Sequence, residues 1–395
     1  MRTLLVSLLA VAGFAAEPAS LTIVSSLPRT GSANAQTSTI VNGIKLAIEQ
    51  AGGKVGNTAI TYLDWDDASP ERGQWDPAVE TANANKAVSD ANVVAYIGTY
   101  NSGAAKIAMP ILNQAGLVMI SPANTHVGLT RAIPETGEPG IYRPTGKVTY
   151  FRVVPGDWLQ GELGAQWAKE LGAKSVFVIH DREIYGKGLA DVFAPSALKL
   201  GLKVVGTEGI DTKAQNYRSL VTKIRQSGAE AVYFGGTAQS NAGQIAKDLA
   251  SGGLGKIPLI LPDGCFESAL LDAGGGAALD GRVYLTFGGL PPEQLTGGGA
   301  EFVKAYQARF NGMPQAYAVY GYECARVVLA AIATGNAQGG ANRANVLAGV
   351  AATKDFKGAL GTWSFDDQGD TTLKVMSGNT VKDGKFTFVK LLGGE

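Results

Sequence analysis

The sequence predicts an α/β protein of two doubly wound units in series. Two observations lead there. Short apolar runs of strand length alternate with stretches of helical period from residue 21 to residue 261. Glycine is abundant, at 53 residues, which suits many short turns between strands and helices. Such alternation implies parallel sheets with helices on both faces.

Residues 21–26 (LTIVSS) read as the first strand, followed by the polar loop LPRTGSANAQ. Thr37 or Ser38 is expected to cap a helix with apolar residues at Ile40, Ile44, Ala47, Ile48 and Ala51, stopped by Gly52 and Gly53. A strand follows at 59–64, then a loop at 65–75 with acids and two tryptophans. Asp76 and Pro77 form a cap and first-turn pair for the next helix. Residues 93–97 are a strand, and a helix capped by Ser102 leads to another strand at 117–120. Residues 128–147 are rich in Pro and Gly and read as loop, before a strand at 150–154 and a helix from Asp157.

The alternation then repeats. Strands are predicted at 175–180, 202–206, 231–234 and 258–261, with helices at 186–200, 217–227 and 240–250. After a strand at 283–287 come helices at 300–310, 317–334 and 343–351, and a tail of short strands and turns. That order is odd for two independent domains. It suits two lobes between which the chain crosses more than once.

At 395 residues the chain can bury two cores. Lys+Arg and Asp+Glu are equal at 34 each, so nothing points to nucleic acid or a membrane surface. Residues 1–16 read as a cleavable signal peptide: one Arg, an apolar run too short to span a membrane, then small residues. Export would place Cys265 and Cys324 where they could pair.

No catalytic constellation is visible. There are two histidines, His126 and His180, no Gly-x-Ser-x-Gly and no phosphate-binding loop. Asp64, Asp66 and Asp67 read as a solvated acidic loop rather than a metal site. No metal and no cofactor are expected. What remains is polar groups at strand C-terminal ends, where open α/β sheets bind ligands. Ser102, placed to cap its helix, with Ala123, Asn124 and Thr125, suits a carboxylate. Asp181, Tyr185, Thr237 and Asp263, an acid-rich set, suit an ammonium group. Facing lobes carrying the two sets would grip a zwitterion. Each residue alone also has a structural reading, Ser102 as a cap and Asp263 in LPDG as a turn acid.

The segments NGIKLAIEQAGG, YIGTYNSGAA, MISPANT, FRVVPGDWLQG, VIHDREIYGKGLA, AVYFGG, LPDG and GTWSFDDQGD occur in this order. With them the chain resembles the periplasmic branched-chain amino-acid-binding proteins, type I solute-binding proteins of ATP-driven (ABC) importers. The resemblance implies two Rossmann-like lobes joined by a three-segment hinge: 22–151 with 290–357, and 152–289 with 358–395. It implies a non-catalytic, periplasmic, monomeric receptor that delivers an amino acid to a membrane permease. Ser102, the Ala123 backbone and Thr125 fall at the family's α-carboxylate positions. Tyr185 and Asp263 fall at its α-amino positions, with Asp263 replacing the more usual Glu. Tyr100, Asn101 and Tyr317 fall in the side-chain pocket. Thr237 stands where the best-known member has an aromatic, and Gln36 stands near where that member has another, giving a roomier and more polar pocket. The family's cysteine pair in the first lobe is absent. Alternatives on the same fold are a receptor for amides, urea or small aromatic acids, and a sensory receptor without a transporter.

Overall fold

The computed structural model describes residues 20–393, so the signal-peptide expectation lies outside the described residues. Two sheets organise the chain. The first runs in the spatial order Lys54–Val55, Thr58–Asp66, Ser20–Leu27, Val93–Gly98, Val118–Ser121, Tyr150–Arg152. All its pairings are parallel except the short Lys54–Val55 strand. The second runs Lys203–Gly209, Ser175–His180, Ala231–Gly235, Leu259–Leu261, Val283–Gly288, Met376–Lys382, Lys385–Leu392. Its last two strands are antiparallel. Central strands such as Val93–Gly98 and Ala231–Gly235 are buried along their whole length, because helices cover both faces. The α/β reading of the sequence is therefore borne out.

The late helices return to the first sheet. The Ala318–Ala337 helix packs along Asn34–Gln50, and two glycines permit the contact. A Cβ on Gly43 would stand 2.2 Å from the Ala318 carbonyl oxygen, and one on Gly321 would stand 2.4 Å from that of Ile40. Only glycine allows backbones so close. The hairpin Phe356–Gly358 and Gly361–Trp363 hangs on the same helix: Trp363 Nε1 donates to Glu323 Oε1 at 2.7 Å. The chain then joins the second sheet at Met376.

Three local readings are corrected. The first helix spans Asn34–Gln50, starting before Thr37 and Ser38, and has no side-chain cap. The Thr37 hydroxyl donates instead to the Pro28 carbonyl, tying helix to loop. Ser102 is the first residue of its helix rather than its cap, and its hydroxyl accepts the His126 N–H at 3.4 Å. Cys265 and Cys324 are both free and buried, and burial pushes both thiols up. The Asp76–Pro77 start is as read, with the Asp76 carboxylate accepting the Ala78 N–H at 2.8 Å.

The acidic loop is not uniformly solvated. Asp66 accepts the Arg29 N–H at 2.7 Å, but Asp67 is fully buried with both carboxyl oxygens unpartnered. Beside it Glu80, also fully buried, accepts from Ser26 at 2.6 Å and Tyr96 at 2.8 Å. Burial pushes Glu80 up to about 8 against those hydrogen bonds, and burial plus the Glu80 charge push Asp67 well above the usual carboxylate range. Raised folded-state values mean stability that is complete below the unfolded pKa and is lost as pH climbs through about 8. The thermal midpoint should therefore fall between roughly pH 5 and pH 9. In Glu80→Gln, which mimics the neutral acid, that fall should shrink; an unchanged slope by calorimetry would remove Glu80 as its cause.

Candidate functional site

Parallel strands in both sheets end in loops that meet between the lobes. They line a narrow cleft. Tyr100, Asn101, Ser102 and Ala123 line it from the loops after Val93–Gly98 and Val118–Ser121. Tyr185, Thr237, Asp263 and Gly264 line it from the second sheet, and Tyr317 stands at the start of the Ala318–Ala337 helix. No Lys, Arg or His is among these lining residues. A further compartment of about 280 Å³ shares Asn101, Ser102, Tyr185 and Thr237 and extends to Trp75 and Asp181.

Asp263 is the centre of this cavity. It is 3% exposed and opens the turn after Leu259–Leu261. Tyr185 donates its hydroxyl proton to Oδ1, which also accepts the Gly264 N–H at 2.9 Å. Tyr317, from the other lobe's helix, donates to Oδ2 at 2.6 Å. Burial raises the Asp263 carboxyl, and the two phenols and Gly264 only partly offset it. A buried carboxylate held by neutral donors, with no cationic side chain in the wall, is arranged for a cation from outside.

The facing wall is the start of the Ser102–Gln114 helix, whose first N–H groups carry the positive end of the helix dipole. Asn101 lacks a side-chain cap bond and lines both compartments. The Ala123 N–H already donates to Ser121 Oγ at 3.1 Å. Tyr100 is 7% exposed, its hydroxyl has no partner, and its ring meets Tyr317 edge-on at 5.8 Å. Thr237 turns its hydroxyl to Ser240 at 3.1 Å.

Three of the sequence-derived site residues lie outside the lining. The Asn124 carboxamide donates to the Tyr100 carbonyl at 2.9 Å and accepts from Tyr150 at 3.3 Å, so it latches the two strand-end loops together. The Thr125 carbonyl accepts the Asp157 N–H at 2.8 Å. Gln36 is fully buried and donates across the lobes to the Phe266 carbonyl at 3.3 Å. Its long amide reaches the second lobe rather than the cavity.

Sequence reasoning missed one residue of the lining, Trp75, and the burial of one acid outside it, Asp157, which feels the Asp263 charge. Trp75 closes the outer compartment and lies against Gly103, where a Cβ would stand 2.5 Å from its ring. Asp157 is fully buried with both carboxyl oxygens unpartnered, and burial and the Asp263 charge push it well above the usual range. An acid opening a helix looks like ordinary dipole compensation, so its burial gave no signal. Asp181, by contrast, was read from the strand end; burial pushes it up to about 6 although Ser240 donates to it at 2.6 Å. Among the described residues no group of three or more His, Cys, Asp or Glu could hold a metal ion.

Comparison with known proteins agrees with this architecture. The family described as "Periplasmic binding protein" matches residues 20–385. An "Amino acid binding protein" of Pseudomonas aeruginosa is 31% identical over 326 residues, 82% of this chain and 79% of the relative. The "Leu/Ile/Val-binding protein homolog 2" of Brucella abortus is 30% identical over 368 residues, 91% of each chain. Among solved structures, LivJ of Streptococcus pneumoniae, a branched-chain amino acid transporter substrate-binding protein in complex with isoleucine, superposes with a TM-score of 0.79. It is 25% identical, and the match covers 94% of this chain and 99% of that one. Sequence match, strand order and an acid-centred interlobe cavity thus agree: the chain belongs to the periplasmic binding protein family.

Proposed function

We propose that this chain is an extracytoplasmic, non-catalytic receptor that captures an amino acid between its lobes and hands it to an ABC importer permease. The observation that carries the reading is Asp263, buried in the cavity wall and held by Tyr185 and Tyr317 with no cationic side chain in the lining. The ligand's ammonium group pairs with Asp263. Its carboxylate lies at the Ser102 helix start, where dipole and hydroxyl favour an anion. Tyr100, Asn101 and Thr237 meet the side chain. In this reading 22–151 with 290–357 and 152–289 with 358–395 close on the ligand about a three-segment hinge. Residues 1–16 direct export and are removed, and the mature protein works as a monomer. The names and the bound isoleucine of its relatives support an amino-acid ligand.

A thermal-shift screen tests this. A ligand present at about 100 times its Kd adds roughly 2.7 kcal/mol of stability, enough to move the melting temperature visibly. Amino acids should raise it, and their deaminated or decarboxylated analogues should do so far less. A rise only with amides, urea or benzoate would replace the amino-acid reading by another on the same fold.

A further inference from the structure

A second groove is lined by residues that adjoin, in sequence, those building the cleft. The turn that gives Asp263 and Gly264 to the cleft gives Phe266, Glu267 and Ser268 to this groove. The segment that ends in Tyr317 gives it Pro314, Gln315 and Ala316. Residues 291–294 and 386–388 complete the groove.

Its chemistry is one-sided. Among the described residues, the only charged ones lining it are Glu267 and Glu293. Phe266 and Phe386 pack with ring centroids 4.5 Å apart, and Phe388 and three prolines add apolar wall. Glu267 is 2% exposed; one carboxyl oxygen accepts from Gln239 Nε2, and Oε2 has no partner. The side-chain oxygens of Gln315 and Asn379 are likewise buried and unpartnered. Buried acceptors without donors are uncommon in folded proteins and mark places where a donor belongs. Burial pushes the Glu267 carboxyl up to about 8, and the Gln239 hydrogen bond only partly offsets it.

We propose that this groove is a second ligand site, for a small molecule with an aromatic or branched apolar body bearing an ammonium group that pairs with Glu267. The aromatic wall takes the body and the acid takes the charge, with ring faces adding cation–π attraction. Asp263 does not take part, so the site stands independently of the cleft reading.

The test is calorimetric titration of the full chain with phenethylammonium chloride, with 3-phenylpropanoate as the anionic control of equal body. Saturable one-to-one binding is expected for the wild type and for Asp263→Asn alike. About tenfold or greater weakening is expected in Glu267→Gln, and also in Leu271→Trp, which narrows the groove while leaving the acid in place. Equal binding of 3-phenylpropanoate would overturn the acid's role. Loss in Asp263→Asn with retention in Glu267→Gln would place the amine in the cleft and overturn the site, as would the absence of saturable binding. Amino-acid titration of Asp263→Asn separately reports on the cleft.

Discussion

Asp263→Asn is expected to weaken amino-acid binding by at least about thirtyfold while leaving the fold intact. Removing one partner of a buried, hydrogen-bonded charge pair costs roughly 2–5 kcal/mol, which is some thirtyfold to several-thousandfold in affinity. Asparagine keeps the shape and one acceptor, so Tyr185 or Tyr317 retains a partner while the charge is lost. The loss should be selective. In the wild type an amino acid should outbind its deaminated analogue; in the variant the difference should nearly vanish. A pH series provides a second readout. Burial raises the Asp263 carboxyl above its ordinary value, so affinity should begin to fall with acidification while the pH is still above the usual carboxylate range. Titration calorimetry with the strongest hit of the thermal screen measures all three. Unchanged affinity in Asp263→Asn would sink the assignment of the ammonium group.

Much of this architecture is legible in the sequence, for identifiable reasons. Strand runs such as 93–97 and 231–234 are apolar throughout because both faces are covered, and their ends give the positions of Tyr100, Ser102 and Thr237. Asp263 is legible because it directly follows such a run, and the segments around it support the family resemblance, which is borne out. Helix starts are less legible. A hydroxyl such as that of Thr37 can cap from outside the helix or bond to a preceding carbonyl from within it. Side-chain direction is not legible across long separations. Nothing local tells that Gln36 reaches Phe266, 230 positions away, or that Asn124 turns from the cavity to the Tyr100 carbonyl. Burial of single acids is also hidden. Nothing beside Asp157 or Glu267 in the sequence tells a buried acid from a helix-start acid, and only the packed fold removes them from water.

The largest expected loss of stability comes from Arg152, at the end of the first sheet. Its side chain is fully buried. Nε donates to Asp370 Oδ1 at 2.7 Å, and Nη1 donates to the carbonyls of His126 at 2.8 Å and Asn124 at 3.3 Å. It therefore holds the strand-end loop that carries Ala123 to the cavity. It also ties that loop to a residue 218 positions later. Burial alone would raise the Asp370 carboxyl, but the charge and hydrogen bond of Arg152, with help from Thr130 and Arg131, hold it below its usual value. Arg152→Met removes that charge and leaves a nearly buried carboxylate whose remaining ion-pair partner is the half-exposed Arg131, at 3.0 Å. Breaking such a pair from one side costs about 3–5 kcal/mol, a fall in melting temperature of about 4–6 °C for a chain of this size. The sign with pH follows from the lowered Asp370 value: its stabilisation is present above the ordinary carboxylate pKa and is lost as pH falls through the folded value. The wild type and Arg152→Met should therefore converge in stability on acidification. Arg152→Met combined with Asp370→Leu should recover part of the loss, because no orphan charge is left buried. Recovery of melting temperature without recovery of ligand affinity would separate the two duties of Arg152. The ion pair serves the fold, and the bonds to the Asn124 and His126 carbonyls serve the loop at the cavity wall.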